Sequence, residues 1–181
     1  CYYEKVANNE PVLLENLPFD IPDSWEWARL GNYITLLSGR DLEPSQYNDK
    51  KEGIPYIIGA SNFYKGDLIV NRWTTSPVVI SNLNDLLITC KGTIGSIAYN
   101  NVGRLHIARQ VMAINSLINI SYIEIFLRTK IEDFKSQAKS FIPGIGRTDV
   151  EQALIPIPSC KEQIKICDAI HLILNRIKDE I

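Results

Sequence analysis

Phe141-Ile-Pro-Gly-Ile-Gly-Arg-Thr-Asp-Val150, running into Ile155-Pro-Ile-Pro158 and then Lys161-Glu-Gln-Ile-Lys-Ile166, is the stretch whose reading decides the fold. A glycine loop carrying Arg147 leads into a short helical turn, a proline-stiffened strand and the start of a long helix. Thr148…Glu151 and Ser159…Glu162 both match the capping box, in which a hydroxyl and a carboxylate satisfy orphan amides at a helix start. Pro156 halts the first helix after one or two turns. The second still runs at Ile181, with Ile164, Cys167, Ile170, Leu174, Ile177 and Ile181 at three- and four-residue steps, the coiled-coil interval. Ile166, Leu172 and Ile173 widen this apolar surface beyond what one short helix hides. The helix is therefore expected to take a helical partner, with its own domain covering part of the stripe.

Upstream, Ser121…Glu124 is a third capping box, followed at helical spacing by Ile123, Phe126, Leu127, Ile131 and Phe134, with Lys130, Lys135 and Lys139 among the remaining positions. Before it the chain reads as short strands divided by turn chemistry: Ile34 to Leu37, Ile54 to Ile58, Leu68 to Val70, Val78 to Ile80, Leu86 to Thr89, Ile94 to Ala98 and Ile107 to Ile114. The polar stretch from Arg40 to Gly53 is a long loop, either a surface excursion or a binding loop. Trp25 and Trp27, two apart, share one strand face and are expected to pack on the core. Residues 1–20 form a lead-in segment in which Pro18, together with Pro22 just beyond, argues against a continuous helix. The expected class is α+β: a bent mixed sheet over 21–158, flanking helices, and a coiled-coil-type helix opening at 159.

At 181 residues the chain fits one domain with an appendage, and 45% hydrophobic with 22% charged residues is ordinary for a globular protein. It opens on Cys1 rather than methionine and is expected to be a piece of something longer. No apolar run reaches the ~20 residues a membrane-spanning helix needs, and no signal-peptide pattern is present, so no membrane partner and a cytoplasmic location are expected. The net charge of −2 argues against a generic nucleic-acid binder. Its distribution argues the other way: residues 60–147 hold ten basic and five acidic side chains, while both flanks are acidic. Local field steers a polyanion, because screening limits reach to ~8–10 Å at ordinary salt.

Motifs for chemistry are missing. Gly144-Ile-Gly146 follows Pro143 rather than a strand, which is the wrong context for a dinucleotide fingerprint. Lys91-Gly-Thr-Ile-Gly95 lacks P-loop spacing. No Asn/Asp-Pro-Pro-aromatic motif of amino-group methyltransferases occurs, and no nuclease-like Asp…Glu-x-Lys cluster stands out. The cysteines at 1, 90, 160 and 167 have no zinc-knuckle spacing, and Cys90 reads as a buried small hydrophobe. A non-catalytic chain without cofactor or metal is expected.

Several motifs in order resemble the specificity subunit of type I restriction-modification systems. They are Pro18-Phe-Asp-Ile-Pro-Asp-Ser-Trp-Glu-Trp27 with Arg29-Leu-Gly31, Ser38-Gly39, Ile54-Pro-Tyr56, Leu86-Leu-Ile88 with Lys91-Gly-Thr-Ile-Gly95, Ile107-Ala-Arg-Gln-Val111, and Pro156…Pro158…Glu162-Gln163. The resemblance implies one target-recognition domain and the start of a conserved spacer helix. In that family two such domains alternate with two helices that pair as an antiparallel coiled coil, each domain reading half of a split DNA site for partner methyltransferase subunits. The implied partners are double-stranded DNA, methyltransferase subunits, restriction subunits through the complex, and a second recognition domain in cis or by dimerisation. Type I-like and fused type IIG systems use similar domains.

For such a reader, Lys65, Arg72, Lys91, Arg104, Arg109 and Arg147 are the candidates for phosphate or guanine contacts, and the backbone at Gly92, Thr93 and Gly146 for close approach to phosphate. Asn62, Tyr64 and Gln110 are candidates for base edges, since an amide side chain can pair with adenine. The positive side chains are expected to converge on one concave rim. The rival reading is a protein-interaction adaptor, in which the long apolar helix recruits partners and the sheet is scaffold; a hydrolase or transferase is a distant third.

Overall fold

The computed structural model describes residues 3–4, 10, 12–13, 17–137 and 144–179. Expectations that fall on Lys139, on Phe141 to Pro143, on Ile181 and on most of the lead-in segment lie outside the described residues.

Two four-stranded sheets carry the domain. The first has the order β11 (Ile97–Tyr99), β10 (Leu86–Thr89), β13 (Val111–Ser116), β4 (Ile34–Ser38), and is antiparallel throughout. The second has the order β8 (Trp73–Thr74), β5 (Ile54–Ile57), β12 (Leu105–Ile107), β9 (Ile80–Ser81), with β5 and β12 parallel and its other pairs antiparallel. β1 (Tyr3–Glu4) pairs with β2 (Val12–Leu13), and β6 (Phe63–Tyr64) with β7 (Asp67–Leu68) as a hairpin. β3 (Glu26–Arg29) and β14 (Leu154–Ile157) pair antiparallel, clasping the two ends of the domain together. The helices are α1 (Ile120–Gln137), α2 (Arg147–Glu151) and α3 (Cys160–Asp179). This is the expected α+β architecture with mixed strand directions.

Strand alternation explains why the middle of the chain is so apolar. In β10, Leu86 and Ile88 point with Met112 and Ile114 toward Ile123, Leu127 and Phe134 of α1. Leu87 points the other way with Val111 and Ala113, against Ile57, Leu105 and Ile107 of the second sheet. A sheet covered on both faces needs apolar residues at successive positions, and every residue of β10 is buried. Full burial of each such side chain contributes ~1.5–3 kcal/mol before the entropy of ordering is subtracted.

The run Ile107 to Ile114, which reads as one strand, is two strands in two sheets. The chain leaves β12 at Ile107, turns through Ala108, Arg109 and Gln110, and joins the first sheet at Val111. The turn is pinned by backbone bonds: Ala108 N–H donates to Ile57 O, Val111 N–H to Ala108 O, Gly39 N–H to Val111 O, and Cys90 N–H to Gln110 O, all between 2.8 and 3.1 Å. His106, fully buried, braces it from behind. Its Nε2 lies 2.9 Å from Arg40 O, and its Nδ1 lies 3.1 Å from Val79 N.

Of the three capping boxes, one forms as read. Ser159 N–H donates to Glu162 Oε2 at 3.1 Å, and Glu162 N–H donates back to Ser159 Oγ at 3.4 Å. At α1 the cap is Asn119, whose Oδ1 accepts from Ser121 N–H and Tyr122 N–H. Asparagine caps as well as serine does, so Ser121 and Glu124 are left to hold the Tyr99 hydroxyl instead. At α2 the reciprocal bond runs from Gly146 N–H to Asp149 Oδ2 at 2.7 Å, and Glu151 pairs with Arg147. Gln163, fully buried, joins two helix starts: its Oε1 accepts from Asn119 N–H, and its Nε2 donates to Pro158 O.

Two expectations follow. A Cβ on Gly39 would lie 2.0 Å from Ala108 O and 2.6 Å from its carbonyl carbon, both backbone atoms with nowhere to go. Gly39→Ala should therefore cost more than the ~1–3 kcal/mol of an ordinary overpacked core, read as the shift in a urea unfolding midpoint. Glu162 has its carboxyl held below the ordinary range, first by the Ser159 hydroxyl and then by the Ser159 amide. A depressed folded pKa gives stability that is present above the unfolded value and lost as pH falls through the folded one. Wild type should thus lose stability relative to Glu162→Gln on acidification below the ordinary carboxylate range, in parallel melts across pH 7 to 3.

Candidate nucleic-acid interface

The crossover between the sheets throws Arg109 and Gln110 outward, because Ile107, Ala108 and Val111 on either side are locked into cores. Two further segments are tied to the same place. Cys90 N–H donates to Gln110 O, and Ile145 N–H donates to Cys90 O at 2.8 Å. Lys91 and Gly144 form an antiparallel bridge. Burial pushes the Cys90 thiol up, as befits a packing residue. The result is an open cleft of about 540 Å³ lined by Lys91, Gly92, Arg109, Gln110, Gly144, Ile145 and Gly146.

Five of the sequence candidates therefore meet at one opening: Lys91, Gly92, Arg109, Gln110 and Gly146. Thr93 follows Gly92 on the exposed loop, and Arg147 follows Gly146 as the first residue of α2. Both arginines carry exposed partners, Arg109 with Asp41 at 2.7 Å and Arg147 with Glu151 at 2.8 Å. Asp41 also accepts the Arg109 backbone N–H through its second oxygen, which fixes the arginine's root as well as its head. That role of Asp41 went unnoticed in the sequence, where it is one acid among several in the 40–53 loop. The loop itself is ordered by Asn48, whose Oδ1 accepts from Lys50 and Glu52 amides.

Other candidates lie elsewhere. Asn62 is 1% exposed, and both ends of its amide are used: Oδ1 accepts from Ile58 N–H and Gly59 N–H, while Nδ2 donates to Ile69 O and Asn71 Oδ1. The expectation that it offers an edge to a base is corrected; it clamps the 58–71 loop, because a buried amide must satisfy its own polar atoms first. The loop so clamped carries the β6–β7 hairpin, where Tyr64 is 58% exposed and Lys65 Nζ lies 5.5 Å from its ring centroid. Lys65 lines a different groove, with Gly95, Tyr99, Glu124, Arg128 and His171 among its walls. Arg104 is exposed at the start of β12, the end opposite to Arg109. Arg72 is half-buried and donates to Asn71 O. The central cations thus divide among several places instead of sharing a single rim.

The partner face of α3 also divides. Gln163, Ile166, Cys167 and Ile170 turn toward the domain, and Cys167 is 4% exposed within the core shared with Tyr122 and Ile123. Cys167 is therefore corrected from a partner contact to a core residue. The same stripe continues as Leu174, which lines the Lys65 groove, and Ile177, 47% and 49% exposed, and Ile164, Leu172 and Ile173 are also exposed. Trp27 is buried and Trp25 half-buried, both on an apolar hollow with Phe19, Tyr122 and Phe126 that shares no lining residue with the cleft.

Comparison with known proteins agrees with this architecture. The family profile of the type I restriction modification DNA specificity domain matches residues 22–181; the chain belongs to that family. It is 28% identical over 171 residues to a putative type I restriction enzyme MjaX specificity subunit of Methanocaldococcus jannaschii, covering 88% of this chain and 39% of the relative. Against the type I restriction enzyme MjaVIII specificity subunit of the same organism it is 26% identical over 160 residues, covering 81% and 35%. In fold it matches the crystal structure of the HsdS subunit from Thermoanaerobacter tengcongensis with a TM-score of 0.82 at 22% identity, over 91% of this chain and 41% of that one. The chain spans about two fifths of the length of these relatives. No described helix is long and apolar enough to cross a membrane.

Exposed ion pairs such as Arg147–Glu151 are worth ~0–1 kcal/mol. Glu151→Gln should accordingly shift the unfolding free energy by less than about 1 kcal/mol in urea titration, leaving Arg147 free to take another anion. A larger loss would show the pair to be a structural brace.

Proposed function

We propose that this chain reads one half of a split DNA target for a type I restriction-modification complex and performs no chemistry itself. The reader spans 21–158, and the helix from 159 opens the spacer that joins it to a second recognition domain and to methyltransferase subunits, with restriction subunits recruited through the complex in the cytoplasm. Membership of the specificity-domain family supports this. The observation that carries it is the cleft at the sheet crossover, where Lys91, Arg109 and Gln110 share one opening with the backbone of Gly92; Gly146 lines the same opening with its own N–H taken by Asp149.

The chemistry suits a duplex. Lysine and arginine heads satisfy phosphates, and arginine can also pair with guanine in the major groove, where each base pair shows a distinct donor and acceptor pattern. Releasing Arg109 and Arg147 from exposed carboxylates costs little, so a phosphate outcompetes Asp41 and Glu151. The Leu174–Ile177 stripe, apolar and half exposed, suits a helical partner rather than DNA. It therefore serves assembly within the same function, and the adaptor reading needs no separate surface.

The test is a duplex titration at several salt concentrations. A DNA reader loses affinity log-linearly with salt, at about −0.9 per phosphate contacted. Arg147→Ala should weaken binding by ~1–3 kcal/mol for one base sequence if it reads guanine, or lower all sequences alike and reduce the salt slope by ~1 if it holds phosphate. An adaptor would show no salt-dependent duplex affinity at all.

A further inference from the structure

Among the described residues Gln110 is the one amide side chain lining the cleft, and its surroundings limit what it can say to a base. Its main chain is held immobile, with its carbonyl accepting from Cys90 N–H and the neighbouring Ala108 and Val111 tied to both sheets. Its side chain is half-buried, and among the described residues it has no hydrogen-bond partner. Its polar atoms are open to solvent, so a partner entering the cleft can reach them.

The orientation of the amide follows from Gly59. Gln110 Oε1 occupies the space beside the Gly59 α-carbon, 2.3 Å from where a Cβ would stand, with Cδ at 3.3 Å. An oxygen belongs there, because it can accept a weak contact from the α-hydrogens, whereas an NH₂ group would face them with nothing to accept its protons. The nitrogen sits on the other arm of the carboxamide, with both donors unspent. Gly59 is in turn fixed by Asn62, whose Oδ1 accepts the Gly59 amide.

We propose that Gln110 is a specificity-determining residue that acts as a donor alone, so that the base it meets must present a major-groove acceptor. This inference rests on the DNA-reading function proposed above and goes further by naming the chemistry read. Guanine O6 and N7, adenine N7 and thymine O4 qualify; cytosine, which shows only its N4 donor there, does not. The two-point pairing with adenine that a free glutamine makes requires its oxygen to turn away from Gly59. Gly59 thereby selects the state of Gln110 without touching DNA.

Selection from a duplex library with randomised positions, using the full 181-residue chain and three variants at low salt, tests this. Wild type should enrich acceptor-bearing bases and exclude cytosine at one position. Gln110→Glu, which turns a donor into an acceptor, should move that position toward cytosine or adenine, and Gln110→Ala should lose roughly ten-fold of its discrimination there. Gly59→Ala is tolerated by the backbone, since φ is extended at 174°, and displaces only the flexible end of Gln110. It should keep the urea midpoint and salt slope of wild type while admitting adenine more strongly at that same position. If all variants enrich the wild-type sequence with wild-type strength, Gln110 reads no base and the inference falls, while DNA reading stands. If wild type itself retains no duplex in a salt-dependent way, the DNA reading falls and takes this inference with it.

Discussion

The contact on which the rest depends is the close approach of Gly39 to the Ala108 carbonyl. There two backbones meet with no side chain between them, and the chain crosses from one sheet to the other. Because Gly39 N–H bonds to Val111 O and Arg40 N–H to Ile107 O, β4 runs alongside the turn and holds it at both ends. The geometry leaves Arg109 and Gln110 no room inward. Polar side chains at the junction of two hydrophobic cores are thus a consequence of packing, and the proposed binding surface grows from the same constraint that closes the fold.

Rigidity around this point is shared out among polar groups that spend themselves on backbone. Asn62 clamps the 58–71 loop, His106 braces Arg40 and Val79, Asn100 donates to Asn82 O and Gly103 O, and Gln163 ties the starts of α1 and α3. Each is buried with its hydrogen bonds made within the chain, as low local dielectric demands. Among the exposed polar side chains are those on the crossover, on the Lys91 loop and on α2. A scaffold that satisfies its own amides first can hold a reading surface still, and preorganisation of that kind lowers the ordering cost of binding.

Charge and apolar surface lie on different parts of the chain and suit different kinds of partner. The cleft gathers Lys91 and Arg109 with Arg147 close by, although the chain as a whole is net negative. The end of α3 carries Leu174 and Ile177 in line with the stripe that seats the helix on its own domain. A helix seated by its first half and more exposed from His171 to Ile177 is suited to transmit a fixed spacing, since its direction is set by the core around Cys167 and Ile166.

Much of this was legible in the residues. Apolar runs bounded by turn residues and helical patterns placed β4, β5, β10, α1 and α3, and ordered motifs gave the family. Local glycine and cation chemistry marked Lys91, Gly92, Arg109 and Gly146 as one kind of surface. What pattern could not show was where a continuous apolar run changes sheets, because β12 and β13 are alike in composition and the break at Ala108 depends on Gly39, some seventy positions away. Nor could it tell Asn62 from Gln110, two amides of similar promise, one consumed by its own loop and the other left free. Sequence determined which residue types were available and at what period; only tertiary structure decided which were already satisfied, because hydrogen-bond partners and contact distances are set by parts of the chain that are remote until it folds.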